Sequence, residues 1–160
     1  FLARWAADCA EHVLPLFTRC SDDSRPKEAL DITRKWANGE VRTGAAMKAS
    51  LAAHAAARQA RDTAAIAAAR AAGQAAATAH AADHSMGALL YSLKALEASG
   101  SPSEAELRNQ LAKLPEHLRE PVSVGVALRL KKLGIGKQRR PNKAVEPTGE
   151  PLRSPPADQG

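Results

Sequence analysis

Between Gly44 and Ala98, 25 of 55 residues are alanine. Alanine gives up no side-chain entropy in a helix and hides no polar group, so it is the best helix former. A chain built around such a tract is expected to be almost purely helical. Alanine also buries little apolar area, so close approach of helices has to replace side-chain bulk. Aromatic residues, at 3% of the chain, do not fill the gap. The 160 residues amount to one domain. The expected fold is all-α: a single compact bundle of about six to seven helices, with Ala-rich central helices and a disordered C-terminal tail.

Hydrophobic spacing and end signals divide the chain. Trp5, Cys9 and Val13 fall four apart, which predicts a first helix over 2–14. "TRCSDDSRP" reads as a polar loop, and Pro26 opens a second helix with Ala29, Ile32, Thr33 and Trp36 on its inner face and Gly39 as its stop. A third helix is expected over 43–61, with Met47, Leu51, His54 and Arg58 on one stripe that points His54 inward. A fourth starts near Asp62 and carries Ile66, Ala69, Gly73, Ala76 and Ala77 on one side. Glycine in a helix interior costs about 1 kcal/mol against alanine, so Gly73 suggests another backbone passing close by. A fifth helix ends near Ser99–Gly100, and "SPSE" at 101–104 reads as a capping box opening a sixth over 102–113. Pro115 and Pro121 are expected to break the next segment, leaving "PVSVGVALRLKKLG" as the last helix. The division is a helical domain over 1–134 and a Pro-rich basic disordered tail over 135–160.

The formal charge of +6 is mildly basic. Its one dense run holds Arg129, Lys131, Lys132, Lys137, Arg139, Arg140 and Lys143 with no acid among them. Without interleaved aromatics this is a solvated helix end and tail first, and a nucleic-acid contact second. Cys9 and Cys20 match no metal or redox spacing and point to a reducing compartment. The opening "FLARWAADCAEH" is charged and amphipathic, unlike a secretory segment. "AAIAAARAAGQAAATA" is too weakly apolar for a membrane span, and Arg70 and Gln74 interrupt it.

The chemistry-bearing stretch is "TAHAADHSMGALLYSLKAL". On a continuous helix, Met86, Leu89, Leu90, Leu93 and Leu96 form one stripe, and His80, His84, Gly87 and Tyr91 form another, with Asp83 between them. Alternatively the chain breaks and Asp83 caps a new helix. The His80/His84 pair has the i,i+4 spacing of metal ligands, but structural zinc takes four ligands and no second pair supplies them. A buried polar network is the reading preferred, drawing on His54, Arg58, His80, Asp83, His84 and Tyr91, with a partner-binding face as the alternative. Arg58, Arg61 and Arg70 on the Ala-rich helices read first as solvated or capping, with a grip on a phosphate as the alternative. No Gly-rich phosphate loop or Ser/His/Asp arrangement is present. No catalytic residue, cofactor or metal is therefore expected.

The motifs "WAADCAEHVLPLF", "WANGE", "AAHAAAR", "ARAAG", "AHAADHSMGALLYSLKA" and "LPEHLR" occur in this order. Together they resemble the immunity proteins of bacterial polymorphic-toxin systems (the immunity-protein-5-like domain), over about residues 1–134. The resemblance implies an all-α, non-catalytic cytoplasmic protein that binds and neutralises a cognate toxin. It picks out Trp5, Asp8, Cys9, Trp36, His54, Arg58, Gly73, His80, Asp83 and His84 as pattern residues. Gln74 departs from the pattern by standing where a histidine would follow the glycine. A net charge of +6 does not suit a basic target, so the partner is expected to be acidic or the contact mainly apolar. The rival functions are a nucleic-acid-associated protein using the 129–143 run and a metal-dependent enzyme built on His54, His80, Asp83 and His84.

Overall fold

A computed structural model describes residues 1–133. They form seven helices: α1 (Leu2–Thr18), α2 (Arg25–Ala37), α3 (Thr43–Gln59), α4 (Thr63–Ala77), α5 (His84–Ala98), α6 (Glu104–Ala112) and α7 (Glu116–Leu133). No strand occurs among the described residues. The all-α bundle expected from the alanine content is the fold found. The expected tail over 135–160 lies outside the described residues, as do Lys137, Arg139, Arg140 and Lys143 of the basic run.

The alanine tract supplies the middle of the bundle. α4 packs against α1, α2, α3 and α5, and 11 of its 15 residues are buried, ten of them alanine and the other Gly73. Its start is fixed locally: the Asp62 carboxylate accepts a hydrogen bond from the Ala65 N–H at 2.8 Å, satisfying one of the donors a helix N-terminus leaves unpaired. Two clusters make the core. In the larger, 17 of 20 buried residues are alanine, with Val13, Phe17 and Leu30 the exceptions. The smaller holds no alanine; Trp5 and Cys9 of α1 meet Leu89, Leu90 and Leu93 of α5, Leu114, and Val122 and Val126 of α7. Trp5 also donates its indole N–H to the Gln110 carbonyl at 2.9 Å. The bulk that α4 lacks is thus concentrated on the opposite side of α5, beneath α6 and α7.

Three boundaries differ from the sequence reading. α1 does not stop at Leu14 but runs through Pro15 to Thr18. Pro15 costs one backbone hydrogen bond, while continuing the helix places Phe17, four residues after Val13, fully in the core. α7 likewise runs through Pro121, keeping Val122 and Val126 one turn apart in the smaller cluster. The capping box at 101–104 does not form. Ser103 occupies the N-cap without a side-chain cap bond and donates its hydroxyl to Glu97 Oε1 at 2.8 Å. Glu106 turns inward, where it accepts from Gln110 Nε2 at 2.6 Å and meets His12 Nδ1 at 2.7 Å.

The stripe expected to face inward on α3 is mostly a surface one. Leu51 is 67% exposed and Arg58 is exposed, while the buried face is Ala46, Ser50, Ala53, Ala56 and Ala57. The small residues go inward because α3 lies against the alanine surface of α4, and larger side chains are left at the margins.

A methyl-lined contact of this kind tolerates neither loss nor gain of volume. Ala72 is fully buried in the larger cluster, and Ala72→Leu is expected to destabilise by about 1–3 kcal/mol through overpacking. Leu93→Ala in the smaller cluster should cost about 2–5 kcal/mol through the cavity it leaves. Urea denaturation measures both; an unchanged midpoint for Ala72→Leu would show a slack alanine core.

Candidate functional site

The helix that carries the second histidine pair is not continuous. α4 ends at Ala77, and Ala79 and His80 bond back three residues, to Ala76 and Ala77, in a tightened turn. The chain then reverses and restarts as α5 at His84, with Asp83 in the N-cap position but making no side-chain cap bond. The His80–His84–Gly87–Tyr91 stripe expected of a continuous helix is therefore divided after His80, and the alternative of a break at Asp83 is the arrangement found. His80 is exposed in the turn. Asp83 is exposed and meets Arg129 Nη2 of α7 at 3.4 Å. Neither joins the polar residues below.

Those residues sit where α3 and α5 flank α4. The His54 ring of α3 lies over Gly73: a Cβ built there would stand 2.7 Å from Nε2 and 2.9 Å from both neighbouring ring carbons. Gly73 is a close-contact position, as its cost in the helix suggests, but the neighbour is an imidazole, not a backbone. One residue on, Gln74 reaches α5, where its Oε1 lies 2.8 Å from His84 Nδ1. With Oε1 as acceptor, His84 donates through Nδ1–H. A glycine again makes the room: a Cβ on Gly87 would meet Gln74 Oε1 at 2.5 Å. Gln74, the departure from the histidine pattern, is thus the hydrogen-bond partner of His84. One turn earlier, Arg70 holds its guanidinium 5.9 Å above the Tyr91 ring, within cation–π range. Gln74 opposite His84 and Arg70 opposite Tyr91 fix α4 and α5 as antiparallel.

Of the candidates His54, Arg58, His80, Asp83, His84 and Tyr91, the structure brings His54, His84 and Tyr91 onto this seam, with exposed Arg58 one turn beyond His54 on α3. It adds Arg70 and Gln74, which the sequence reading left as interruptions of an alanine tract. The signal available for them was the Arg70–Gly73–Gln74 spacing, which puts all three on one face of α4. Burial holds His54 below its ordinary value of 6.5, and Arg70, Arg58 and His84 push it the same way. It is a neutral imidazole at neutral pH. Among the described residues no three His, Cys, Asp or Glu side chains converge as metal ligands. Cys9 is buried and its thiol is pushed far up, chiefly by burial, while Cys20 is exposed; both are free. Of the basic run, Arg129 donates to the Gly125 carbonyl at 3.2 Å besides meeting Asp83, and Lys131 and Lys132 are exposed. What the seam offers chemically is a set of hydrogen-bond donors and positive charge on a rigid small-residue floor.

The family model described as "Imm-5 like putative immunity protein" matches residues 1–117. The chain belongs to this family. The match takes in α1 to α6 and only the first two residues of α7, so it stops short of the 134 residues over which the motifs suggested a likeness. The whole seam of this family member lies inside the matched span, whereas Arg129 and the smaller cluster's Val122 and Val126 lie beyond it. No curated protein and no solved structure matches the chain. No helix among the described residues is long and apolar enough to cross a membrane.

The seam leads to two expected outcomes. Gly73→Ala should gain about 0.5–1 kcal/mol in helix propensity, but only where the ring is absent. In the wild type the displaced His54 ring is expected to cancel the gain, and in a His54→Ala background the gain should appear in full. A double-mutant cycle by urea denaturation then gives a coupling of about 1 kcal/mol; additive effects would mean the ring swings clear freely. The second outcome concerns pH. The unfolded chain takes up a proton at His54 near 6.5, whereas the folded chain does so only at lower pH. More protons bound by the unfolded state means stability rises with pH. His54 should therefore cost stability as pH falls through about 6.5 and below, level off once the folded ring also protonates, and have no effect above about pH 7.5. His54→Gln should flatten that part of the stability–pH profile.

Proposed function

We propose that this chain is the immunity protein of a bacterial polymorphic-toxin system, which protects the cell that makes it by binding its cognate toxin in the cytoplasm, without catalysis. The observation that carries the reading is the family match over α1 to α6. The chemistry of the seam agrees with it. A binding protein needs a preorganised surface of donors, charge and apolar contact, and His54, Arg70, Gln74 and His84 are each held in place by a neighbour on another helix. Neutralisation by binding asks for no nucleophile or base. Cys9, the one buried thiol, sits between α1 and α5 as packing.

The experiment is co-expression with a candidate cognate toxin. The expected result is full rescue of growth and a stable complex of fixed stoichiometry by gel filtration and light scattering. Rescue at far below one inhibitor per toxin would point to catalytic detoxification, and no rescue with no complex would refute the reading.

A further inference from the structure

Charge is segregated between the faces of this bundle. α3 and α4 contain no Asp or Glu at all, and α5 contains only Glu97, near its C-terminal end. The same three helices carry Lys48, Arg58, Arg70 and Lys94 together with His54 and His84. The acids lie elsewhere, with Asp8 and Glu11 on α1, Glu28 and Asp31 on α2, and Glu104 and Glu106 on α6.

The central helix comes to the surface along a single line. Past Thr63, the positions of α4 that are not buried are Ile66, Arg70 and Gln74. α3 borders that line with Leu51, Arg58 and half-buried His54, and α5 borders it with Tyr91 and, three residues on, exposed Lys94. Unpaired cations elsewhere, such as Arg4 on α1 and Arg108 on α6, share their helices with acids, whereas α3 and α4 carry none. Arg25, Arg34 and Arg129 each meet a carboxylate. Among the described residues Arg58, Arg70 and Lys94 meet none, and the positive charge of Arg58 and Arg70 reaches the His54 ring strongly enough to help keep it neutral. Like charges gathered without counter-charges cost folding free energy. That cost is recovered when another molecule brings the carboxylates.

We propose that the face formed by α3, α4 and α5 is the docking surface for an acidic segment of a partner protein, with Arg58 and Arg70 receiving its carboxylates and Leu51 and Tyr91 its apolar side chains. The inference rests on the reading of the chain as a toxin-binding protein and supplies the chemistry of that contact. A protein fits better than a nucleic acid. The cations are spread over three helices and separated by Leu51, Ile66 and alanines, a mixed surface of the kind that protein interfaces use. Nucleic acid favours dense phosphate contacts. Leu51, 67% exposed, is one of the few large apolar side chains the fold leaves in solvent.

The test uses the full chain, the purified toxin from which it rescues growth in co-expression, and two charge-matched double variants. Arg58→Glu/Arg70→Glu alters the proposed face; Arg108→Glu/Lys132→Glu alters exposed positions on α6 and α7. By titration calorimetry at low and high salt, the first variant should weaken binding on the order of a hundredfold and the second only a few fold. Circular dichroism checks that the first variant still folds, since it relieves like-charge repulsion but loses the Arg70 contact over Tyr91; Arg58→Gln/Arg70→Gln replaces it if the reversal unfolds the chain. Equal weakening by both double variants, or none by the first, overturns the proposal. A second measurement separates this inference from the immunity reading. An octaglutamate peptide at low salt should shift backbone amide resonances of α3, α4 and α5 and leave those of α1 and α2 unmoved. If the wild type ignores the toxin but the peptide maps to this face, the immunity reading falls and the acidic docking surface stands. If the peptide maps elsewhere or nowhere, the docking surface falls. A DNA duplex of about 20 base pairs that binds tightly and loses binding in Arg58→Glu/Arg70→Glu assigns the face to nucleic acid instead.

Discussion

The structure depends on how little volume alanine has. A helix whose buried residues are ten alanines and one glycine stabilises its neighbours through close contact, because each methyl removes only a small area from water. α4 therefore has to be touched on nearly every side, and four other helices do so. The smoothness of that surface sets what can lie across it. Side chains reaching over α4 from either side find no knobs to pack between, and they are located by notches instead. Gly73 admits the His54 ring, and Gly87 admits the Gln74 amide on its way to His84.

The same constraint divides the molecule into two halves with different physics. On one side of α5 the alanine core carries a polar, cationic seam. On the other, Trp5, Cys9, three leucines and the valines of α7 form a conventional apolar cluster. Buried polar groups there are few: Glu106 is held between His12 and Gln110, the Gln110 backbone carbonyl takes the Trp5 indole N–H, and the Gln110 Oε1 is left without a partner among the described residues. Rigidity on this side supports exposure on the other. The seam can leave Arg58, Arg70 and Lys94 without carboxylates because the fold does not rely on them.

Much of the fold was legible locally. The Trp5–Cys9–Val13 spacing, Pro26, the Asp62 cap and the glycine endings at Gly39 and Gly100, both with positive φ, are signals a few residues long, and they placed elements within a turn. What failed was decided at a distance. Pro121 read as a break and the first helix as ending at Leu14, but Phe17, Val122 and Val126 are buried by residues far along the chain, and that burial outweighs one hydrogen bond lost at each proline. Ser101 and Glu104 read as a capping box, but the helix starts at Glu104 with Ser103 in the N-cap position giving its hydroxyl to Glu97. At the site, His54, Arg58, His84 and Tyr91 were visible as residue types on alanine helices. Of the two readings of residues 78–83, the structure has the break with Asp83 in the N-cap position, which sets His80 and Asp83 apart from the seam. Arg70 and Gln74 looked like flaws in an apolar tract, and only the antiparallel register of α4 and α5 gives them a role.

The narrow exposure of α4 sets where such a protein is free to change. Its inward positions admit almost nothing larger than a methyl, so the central helix is a keel that cannot be recut without sinking the bundle. Three of its positions reach the surface past Thr63, and the residues bordering them belong to α3 and α5, where Leu51, Arg58 and Lys94 are exposed. A lineage meeting a new adversary could redraw the rim one exchange at a time, from leucine to another shape or arginine to another charge, while the floor beneath stayed the same. A core this plain leaves its edges open to revision.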